Sequence, residues 1–279
     1  MILEFIHWNP SPDLWVIPGI NWPLRWYGLS WAAGFLMCSY VMNRIFKAEH
    51  RTPKQLDRLT LNIIIGTVLG ARLGHCLFYG PFFDVYDAQG FLLEEGYLSH
   101  PLNILKVYEG GLASHGGAIG IILAMLWYCR KEKENWTWLF DRMVIVVPIA
   151  GACIRFGNLM NSEIIGSVTQ KPWAFIFERV DPINPRHPSQ LYEALFCVLL
   201  FVVLFWIWNK KQGVLKPGNL FAWFCIILFT ERFINEFYKE NQVTFENQLP
   251  LNMGQILSLP FIMTGIWIIL RNQKVKDSN

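Results

Sequence analysis

Seven apolar stretches, each long enough to cross a bilayer, leave this 279-residue chain few folds to adopt. They cover residues 24–46, 59–78, 111–128, 140–159, 191–208, 218–237 and 252–270. A spanning helix needs roughly 20 mostly apolar residues, because hydrocarbon offers the backbone no hydrogen-bond partner and the segment must satisfy itself. Composition agrees. The chain is 53% hydrophobic and 16% charged, against about 25% charged in soluble domains. Thirteen Trp and nine Tyr suit a protein with aromatic belts at two membrane–water interfaces. The expected fold is therefore all-α: a polytopic integral membrane protein with seven transmembrane helices. It forms a single membrane-embedded domain over 1–279, with longer outer segments at 79–110 and 160–190. Within the first of these, 101–108 is too short to span and reads as an interfacial arm.

Basic residues set the orientation. Arg44, Lys47, Arg51, Lys54 and Arg58 surround the first connection, and Arg130, Lys131, Lys133 and Arg142 the third. Lys210, Lys211 and Lys216 follow the fifth stretch, and Arg271, Lys274 and Lys276 occupy the tail. The opposite side holds only Arg25, Lys106, Lys171, Arg179, Arg186 and Lys239. The positive-inside rule then puts the N-terminus outside, in the periplasm, and the C-terminus in the cytoplasm, as an odd number of spans requires. The opening MILEFIHWNPSPDLWVIPG has neither a basic n-region nor a small-residue cleavage site, so the N-terminus is expected to be retained. A net charge of +3 gives no reason to expect a nucleic-acid partner. The six cysteines lie in or beside apolar stretches without metal-ligand spacing and read as small buried hydrophobes. No metal or cofactor is expected.

Three arginines, Arg72, Arg155 and Arg232, fall inside apolar stretches. Each costs at least about 2.5 kcal/mol on insertion scales and so calls for a functional explanation. At about 1.5 Å rise per residue, all three lie roughly 20 Å from the inner face. His115 and Tyr27 reach a similar level from the outer side. The reading is thus a polar cluster in the outer half of the membrane. Arg232 and Glu236 are spaced to pair along one helix face, and Arg155 shares a face with Asn158, with Asn161 a turn on. Such cations suit the phosphate of a lipid, which Arg binds in bidentate fashion. For Arg72 the alternative is a structural arginine capping carbonyls of an adjacent helix, and for Arg232 and Glu236 a buried structural pair. Gly66, Gly70 and Gly74, one per turn, would admit a close neighbouring helix. Gly110-Gly111 and Gly116-Gly117 crowd His115 or loosen the backbone beside it. His187, in Pro-Arg-His-Pro, is expected to fix a loop or a helix entry. The run 130–134 reads as a solvated inner loop.

These segments bring a family into view. Gly70-Ala-Arg-Leu-Gly74 and Gly110-Gly-Leu-Ala-Ser-His115-Gly-Gly117 resemble segments of the bacterial prolipoprotein diacylglyceryl transferases. So do Arg155-Phe-Gly-Asn158-Leu-Met-Asn161-Ser-Glu163-Ile-Ile-Gly166, Arg186-His-Pro-Ser-Gln-Leu-Tyr-Glu193, Arg232-Phe-Ile-Asn-Glu236-Phe and Gly254-Gln-Ile-Leu-Ser-Leu-Pro260. The resemblance covers nearly the whole chain. It implies an inner-membrane enzyme that moves the diacylglyceryl group of phosphatidylglycerol to the lipobox cysteine of a prolipoprotein. A thioether forms and glycerol phosphate leaves. It implicates Tyr27, His115, Arg155, Asn158, Glu163, Gly166, Arg232 and Glu236. The family often carries Tyr-Gly shortly before the sixth-stretch arginine, where this chain has Leu228-Phe229-Thr230-Glu231. Its usual Phe-Arg-Glu is here Tyr238-Lys239-Glu240.

Such a transfer needs a base for the thiol and cations for the leaving phosphate. The expected roles are Arg155 and Arg232 on the phosphate, with Arg72 beside them, and Asn158, Tyr27 and Gly166 shaping the head-group site. His115 is the expected base, since imidazole exchanges a proton near neutrality. Glu163 or Glu236 could replace or tune it. The chain is expected to act as a monomer among membrane lipids, with phosphatidylglycerol and the precursor as its partners. The rival reading is a transporter of an anionic or lipid substrate, but the chain shows no inverted repeat. An intramembrane serine protease would need the Gly-x-Ser-x-Gly nucleophile motif, which is absent.

Overall fold

The computed structural model describes residues 5–19, 21–106, 111–211, 215–239 and 250–277, with the backbone alone at 22 and 274–277. The described residues form seven α-helices: α1 (Trp26–Ala48), α2 (Pro53–Phe78), α3 (Ser114–Glu132), α4 (Trp136–Asn161), α5 (Ser189–Lys210), α6 (Asn219–Asn235) and α7 (Met253–Asp277). Each contains most of one apolar stretch. Their ends are set by capping chemistry that apolarity does not reveal. Thr52 accepts from the Gln55 N–H while the Gln55 side chain accepts from the Thr52 N–H, and Pro53 sits at the first helical position. This capping box starts α2 six residues before the apolar run. Asp141 of α4 is buried and accepts from the N–H groups of Gly218 and Phe221 at 2.7 and 2.8 Å, satisfying donors at the start of α6.

The fold is mostly helical rather than all-α. β1 (Ile6–Trp8) pairs in parallel with β6 (Phe175–Phe177), β2 (Asp13–Ile17) pairs antiparallel with β3 (Trp22–Arg25), and β4 (Val85–Tyr86) pairs with β5 (Leu92–Glu94). Leu24 is the first residue of the first apolar stretch, yet it pairs with Trp15 in the hairpin, so α1 begins at Trp26. Alternation of apolar residues over so few positions leaves little periodic signal to read. The expected interfacial arm contains a 3-10 turn, Pro101–Leu105. Tyr108 and Gly110 lie outside the described residues, as do Glu240 and the side chains of Lys274 and Lys276.

Four helices, α2, α4, α5 and the part of α7 over Met253–Gln273, are long and apolar enough to cross a membrane by length and composition. Only 17% of the apolar window of α7 is buried within the chain, and Leu36, Leu199 and Met263 stand 60–69% exposed. Large side chains turned outward along whole helices fit a lipid solvent, and the chain is a membrane protein.

The chain separates into two compact units, residues 1–42 with 140–279, and residues 43–139. In the second, α2 packs along α3 with almost no side chain between them. A Cβ added to Gly70 would stand 2.4 Å from the Gly116 carbonyl oxygen, and one on Gly120 2.0 Å from that of Gly66. The glycine repeat of α2 thus has its counterpart on α3, where Gly120 continues the row begun by Gly116. Below them Glu134 pairs with Arg51, and Glu132 pairs with Arg58 at 2.6 Å. The carboxylates are 8% and 12% exposed, so the run expected to be a solvated inner loop instead continues α3 to Glu132 and ties it to α2. In the first unit α6 lies along α7, and the added Cβ of Gly265 would meet the Ala222 carbonyl at 2.6 Å.

Gly120→Val should therefore force α2 and α3 apart, lowering stability by about 1–3 kcal/mol or more through overpacking. Thermal unfolding of the detergent-solubilised protein measures this, with Gly28→Ala as a control outside the helix pair, where an added Cβ meets nothing within 4 Å.

Candidate active site

α4 ends where its last turn gives way to a loop with two left-handed residues, Ser162 and Ile164, both at φ 56°. Asn158 occupies the final turn, and its backbone oxygen accepts from the Glu163 N–H at 2.9 Å. The returning loop is fastened from α5: Ser189 Oγ donates to the Ile164 carbonyl at 2.7 Å and Gln190 Nε2 to that of Glu163 at 2.5 Å. Beneath it Leu159, Phe175 and Phe177 form a buried apolar cluster with Trp8, Ile165 and Leu191 against it. Trp8 Nε1 donates to the Leu159 carbonyl at 2.9 Å. The short β1–β6 pair therefore has a purpose: it braces the end of α4.

Gly166 follows, squeezed between two other segments. Its N–H donates to the His187 carbonyl at 2.9 Å, and it bridges Lys239 in antiparallel fashion. A Cβ here would stand 2.6 Å from both Cβ and O of His187 and 2.7 Å from the Tyr238 oxygen. Only glycine lets three backbones meet at that spacing. His187 fixes this loop as expected, and its Nδ1 lies 3.0 Å from the Tyr192 hydroxyl. Arg186 reinforces it, with Nη1 donating to the Gly166 carbonyl at 3.2 Å and Nε to Asp181 at 2.7 Å. Hydrogen bonds from Asn184 and Arg186 hold the Asp181 carboxyl down to about 2.

A chain of polar contacts runs through these elements. Asn161 and Asn158 donate to the two oxygens of Glu163 at 3.1 and 2.9 Å. Arg155 reaches the Asn158 side-chain oxygen at 3.4 Å, and its Nε pairs with Glu193 of α5. Glu193 also takes Lys239 Nζ at 2.5 Å, and Lys239 bonds Glu236 at 3.1 Å. Asn252 Nδ2 completes the line to Glu236 at 3.2 Å. A Cβ on Gly254 would fall 2.5 Å from the Glu236 carboxyl carbon, so the start of α7 packs directly on this acid. Tyr27 lies across Gly157, whose added Cβ would be 2.9 Å from the tyrosine ring. That sets the ring one residue from Asn158 and two from Arg155.

The structure thus brings Tyr27, Arg155, Asn158, Glu163, Gly166 and Glu236 into one connected neighbourhood in the first unit. The expected Arg232–Glu236 pair does not form. α6 tightens to a 3-10 turn at Glu236–Tyr238, where side chains three apart eclipse, and Glu236 pairs with Lys239 instead. Arg232 is left exposed near the end of α6. Arg72 and His115 belong to the second unit. Arg72 is 5% exposed and donates to the carbonyls of Ile104 at 3.0 Å, Gly111 at 3.2 Å and Asn103, with its guanidinium 5.3 Å from the Tyr97 ring centre. These are the contacts of the carbonyl-holding alternative. His115 is exposed in the first turn of α3.

Sequence reasoning missed Glu193 and Lys239 as the hub of the network, and Gln190 and Asn252 as its fasteners. The signal for Glu193 was there. An acid inside an apolar helix is as costly as an arginine and calls for the same explanation.

Residues 14–271 match the family described as prolipoprotein diacylglyceryl transferase. Among similar proteins is the phosphatidylglycerol–prolipoprotein diacylglyceryl transferase of Bacteroides fragilis, 42% identical over 276 residues, covering 99% of this chain and 98% of the relative. Proteins of the same description from Tolumonas auensis and Porphyromonas gingivalis are 43% and 37% identical. Those matches cover 97% of this chain in both cases, and 99% and 95% of the relatives.

Two outcomes follow from the geometry. Glu193→Ala strands two cations that are 21% and 5% exposed, and should lower stability by about 3–5 kcal/mol. Adding Lys239→Met should restore part of the thermal midpoint, and equal midpoints for wild type and Glu193→Ala would remove Glu193 from the centre of the network. Burial and the charge of Lys171 lower the His187 pKa from 6.5. Its contribution to stability is therefore full above pH 6.5 and is lost as the pH falls through the lowered folded value. The thermal midpoint should decline on the acid side for wild type and decline less for His187→Gln.

Proposed function

The chain belongs to the prolipoprotein diacylglyceryl transferase family, and on that premise we propose how its side chains carry the reaction. The activity is transfer of the diacylglyceryl group from phosphatidylglycerol to a prolipoprotein. In chemical terms the cysteine sulfur attacks the glyceryl carbon that bears the phosphate. A C–S bond forms, the C–O bond breaks, and its electron pair leaves with glycerol phosphate. The thiol proton goes to a base. Phosphorus begins as a monoanionic diester and ends as a monoester able to carry a second charge. Catalysis must supply that extra charge with partners.

The observation that carries this reading is the setting of Arg155. Glu193 holds its Nε and Asn158 touches one Nη1, which fixes the guanidinium plane while its remaining N–H donors stay available to a phosphate. Arg232, exposed and outside the Glu236 pairing, supplies the second cation. Asn158, oriented by Glu163, and Tyr27 over Gly157 position the head group, while Gly166 keeps the loop close enough to do so. His115 is the base. Both oxygens of Glu163 and both of Glu236 already accept hydrogen bonds, which favours holding roles for these acids. Arg72 acts at one remove, holding the carbonyls of Asn103, Ile104 and Gly111 ahead of His115.

The wider setting is part of the same proposal. All seven helices span the bacterial inner membrane, with the N-terminus periplasmic and the C-terminus cytoplasmic. The protein acts as a monomer and a single domain. The outer segments 79–110 and 160–190 dock the precursor where a secreted chain emerges with its cysteine near the outer interface.

Purified wild type with phosphatidylglycerol and a lipobox peptide should add one diacylglyceryl unit to the cysteine, read by mass spectrometry. Arg155→Ala should lose about 10²–10³ in rate, the usual loss on removing an oxyanion donor. Persisting transfer would break the phosphate site while leaving the enzyme. In the pH–rate profile of His115→Gln the limb set by the base should vanish, and an unchanged limb would exclude His115 as base.

A further inference from the structure

One acid on α6 has no part in the chemistry above. Glu231 lines an open cleft of about 530 Å³ between α5 and α6, whose other walls are mostly apolar or aromatic, Phe196, Ile227 and Ile234 among them, with Thr230 adding a hydroxyl. Asn235, one turn further along the same helix face, lines it too. Asn235 is 4% exposed, and its Nδ2 has no hydrogen-bond partner among the described residues. A buried donor without an acceptor bears its whole desolvation penalty, so it marks a place where a ligand can supply the missing atom. The cleft also leads toward the site. Glu231 lies within electrostatic range of Glu193, Lys239, Arg155 and Arg232.

The donor and the acid together select the occupant. An acyl chain offers no polar atom, and its ester offers acceptors without donors, leaving Glu231 unmatched. An anionic lipid head group would set its phosphate where no cationic side chain lines the cleft among the described residues. A peptide unit carries one N–H and one C=O, which is the complement of one carboxylate and one amide N–H. Apolar walls on either side suit the side chains of a hydrophobic segment. Main-chain hydrogen bonds of this kind give affinity without demanding one sequence, while the pockets beside them select side-chain size.

We propose that the α5–α6 cleft is the docking subsite for the acceptor polypeptide: Asn235 Nδ2 donates to a backbone carbonyl, and Glu231 accepts from a backbone N–H of the apolar segment beside the cysteine. This rests on the transferase reading above and adds to it where the second substrate lies. The departure from the family pattern at 228–231 then has a consequence, because it places a carboxylate on the cleft wall.

Steady-state kinetics with each substrate varied in turn tests the idea, using purified full-length protein, phosphatidylglycerol in detergent micelles and a labelled synthetic precursor peptide. Glu231→Leu should raise KM for the peptide by about tenfold, the scale of one lost hydrogen bond to a charged group, and Asn235→Leu by about two- to tenfold, the scale of a neutral one. KM for phosphatidylglycerol should stay unchanged. A rise in KM for phosphatidylglycerol alone assigns the cleft to lipid and overturns the proposal, as does no change in either constant. A benzoylphenylalanine at Ile234, which is 52% exposed on the cleft wall, gives a second reading should the leucine variants fail to fold. Photo-cross-linking to the peptide supports the subsite, and cross-linking to lipid alone, or to neither, removes it. If wild type transfers nothing, the transferase reading falls, while the cross-link still reports on the cleft.

Discussion

Glu193 sits on an apolar helix, buried, with Arg155 on one side and Lys239 on the other. In a low-dielectric setting none of the three charges is tolerable alone, and an unpaired member costs several kcal/mol. Their mutual satisfaction therefore decides how the elements meet. Arg155 comes from α4, Glu193 from α5 and Lys239 from the turn after α6. Through Glu236 and Asn252 the contact passes to the start of α7. Four segments that apolar packing alone would leave free to slide are held in one register by a line of directional bonds.

Backbone proximity supplies what the charges do not. At Gly166 three strands of chain approach within van der Waals distance, and at Gly116 and Gly120 two helices do the same. Helices in lipid gain little from hiding apolar side chains from one another, so close backbone contact and polar bonds carry their association. The same economy explains the small strands. β1 and β6 are three residues each, too short to be stable alone, yet they satisfy backbone groups in a loop that must stay close to the end of α4.

What the sequence could tell followed from these physics. Apolar stretches located all seven helices, since an apolar block is a property of many residues at once. Helix ends were misplaced because they depend on single contacts, such as Thr52 with Gln55 before the run begins, or Leu24 drawn into a hairpin. The motif from Arg155 to Gly166 was legible as one site because its members are adjacent in the chain. Glu193, Lys239 and Asn252 come together only by folding, and no local spacing announces them. Arg232 and Glu236 show the opposite error. Their i, i+4 spacing holds only if the helix stays α, and its tightening at Glu236 exchanges that neighbour for Lys239 at i+3.

That exchange bears on the chemistry. Had Arg232 paired with Glu236, the arginines of both α4 and α6 would have been neutralised by carboxylates before any phosphate arrived. With Glu236 taken by Lys239, one arginine is oriented by an acid and the other keeps its full charge. In the proposed reaction the phosphate gains negative charge as the C–O bond breaks. A cation already satisfied in the resting state would have to give up a partner to meet it, and rearrangement at that moment adds to the barrier. In the proposed site an oriented Arg155 and an exposed Arg232 offer donors fixed in advance, and preorganisation of this kind lowers the barrier because no bond has to be broken first.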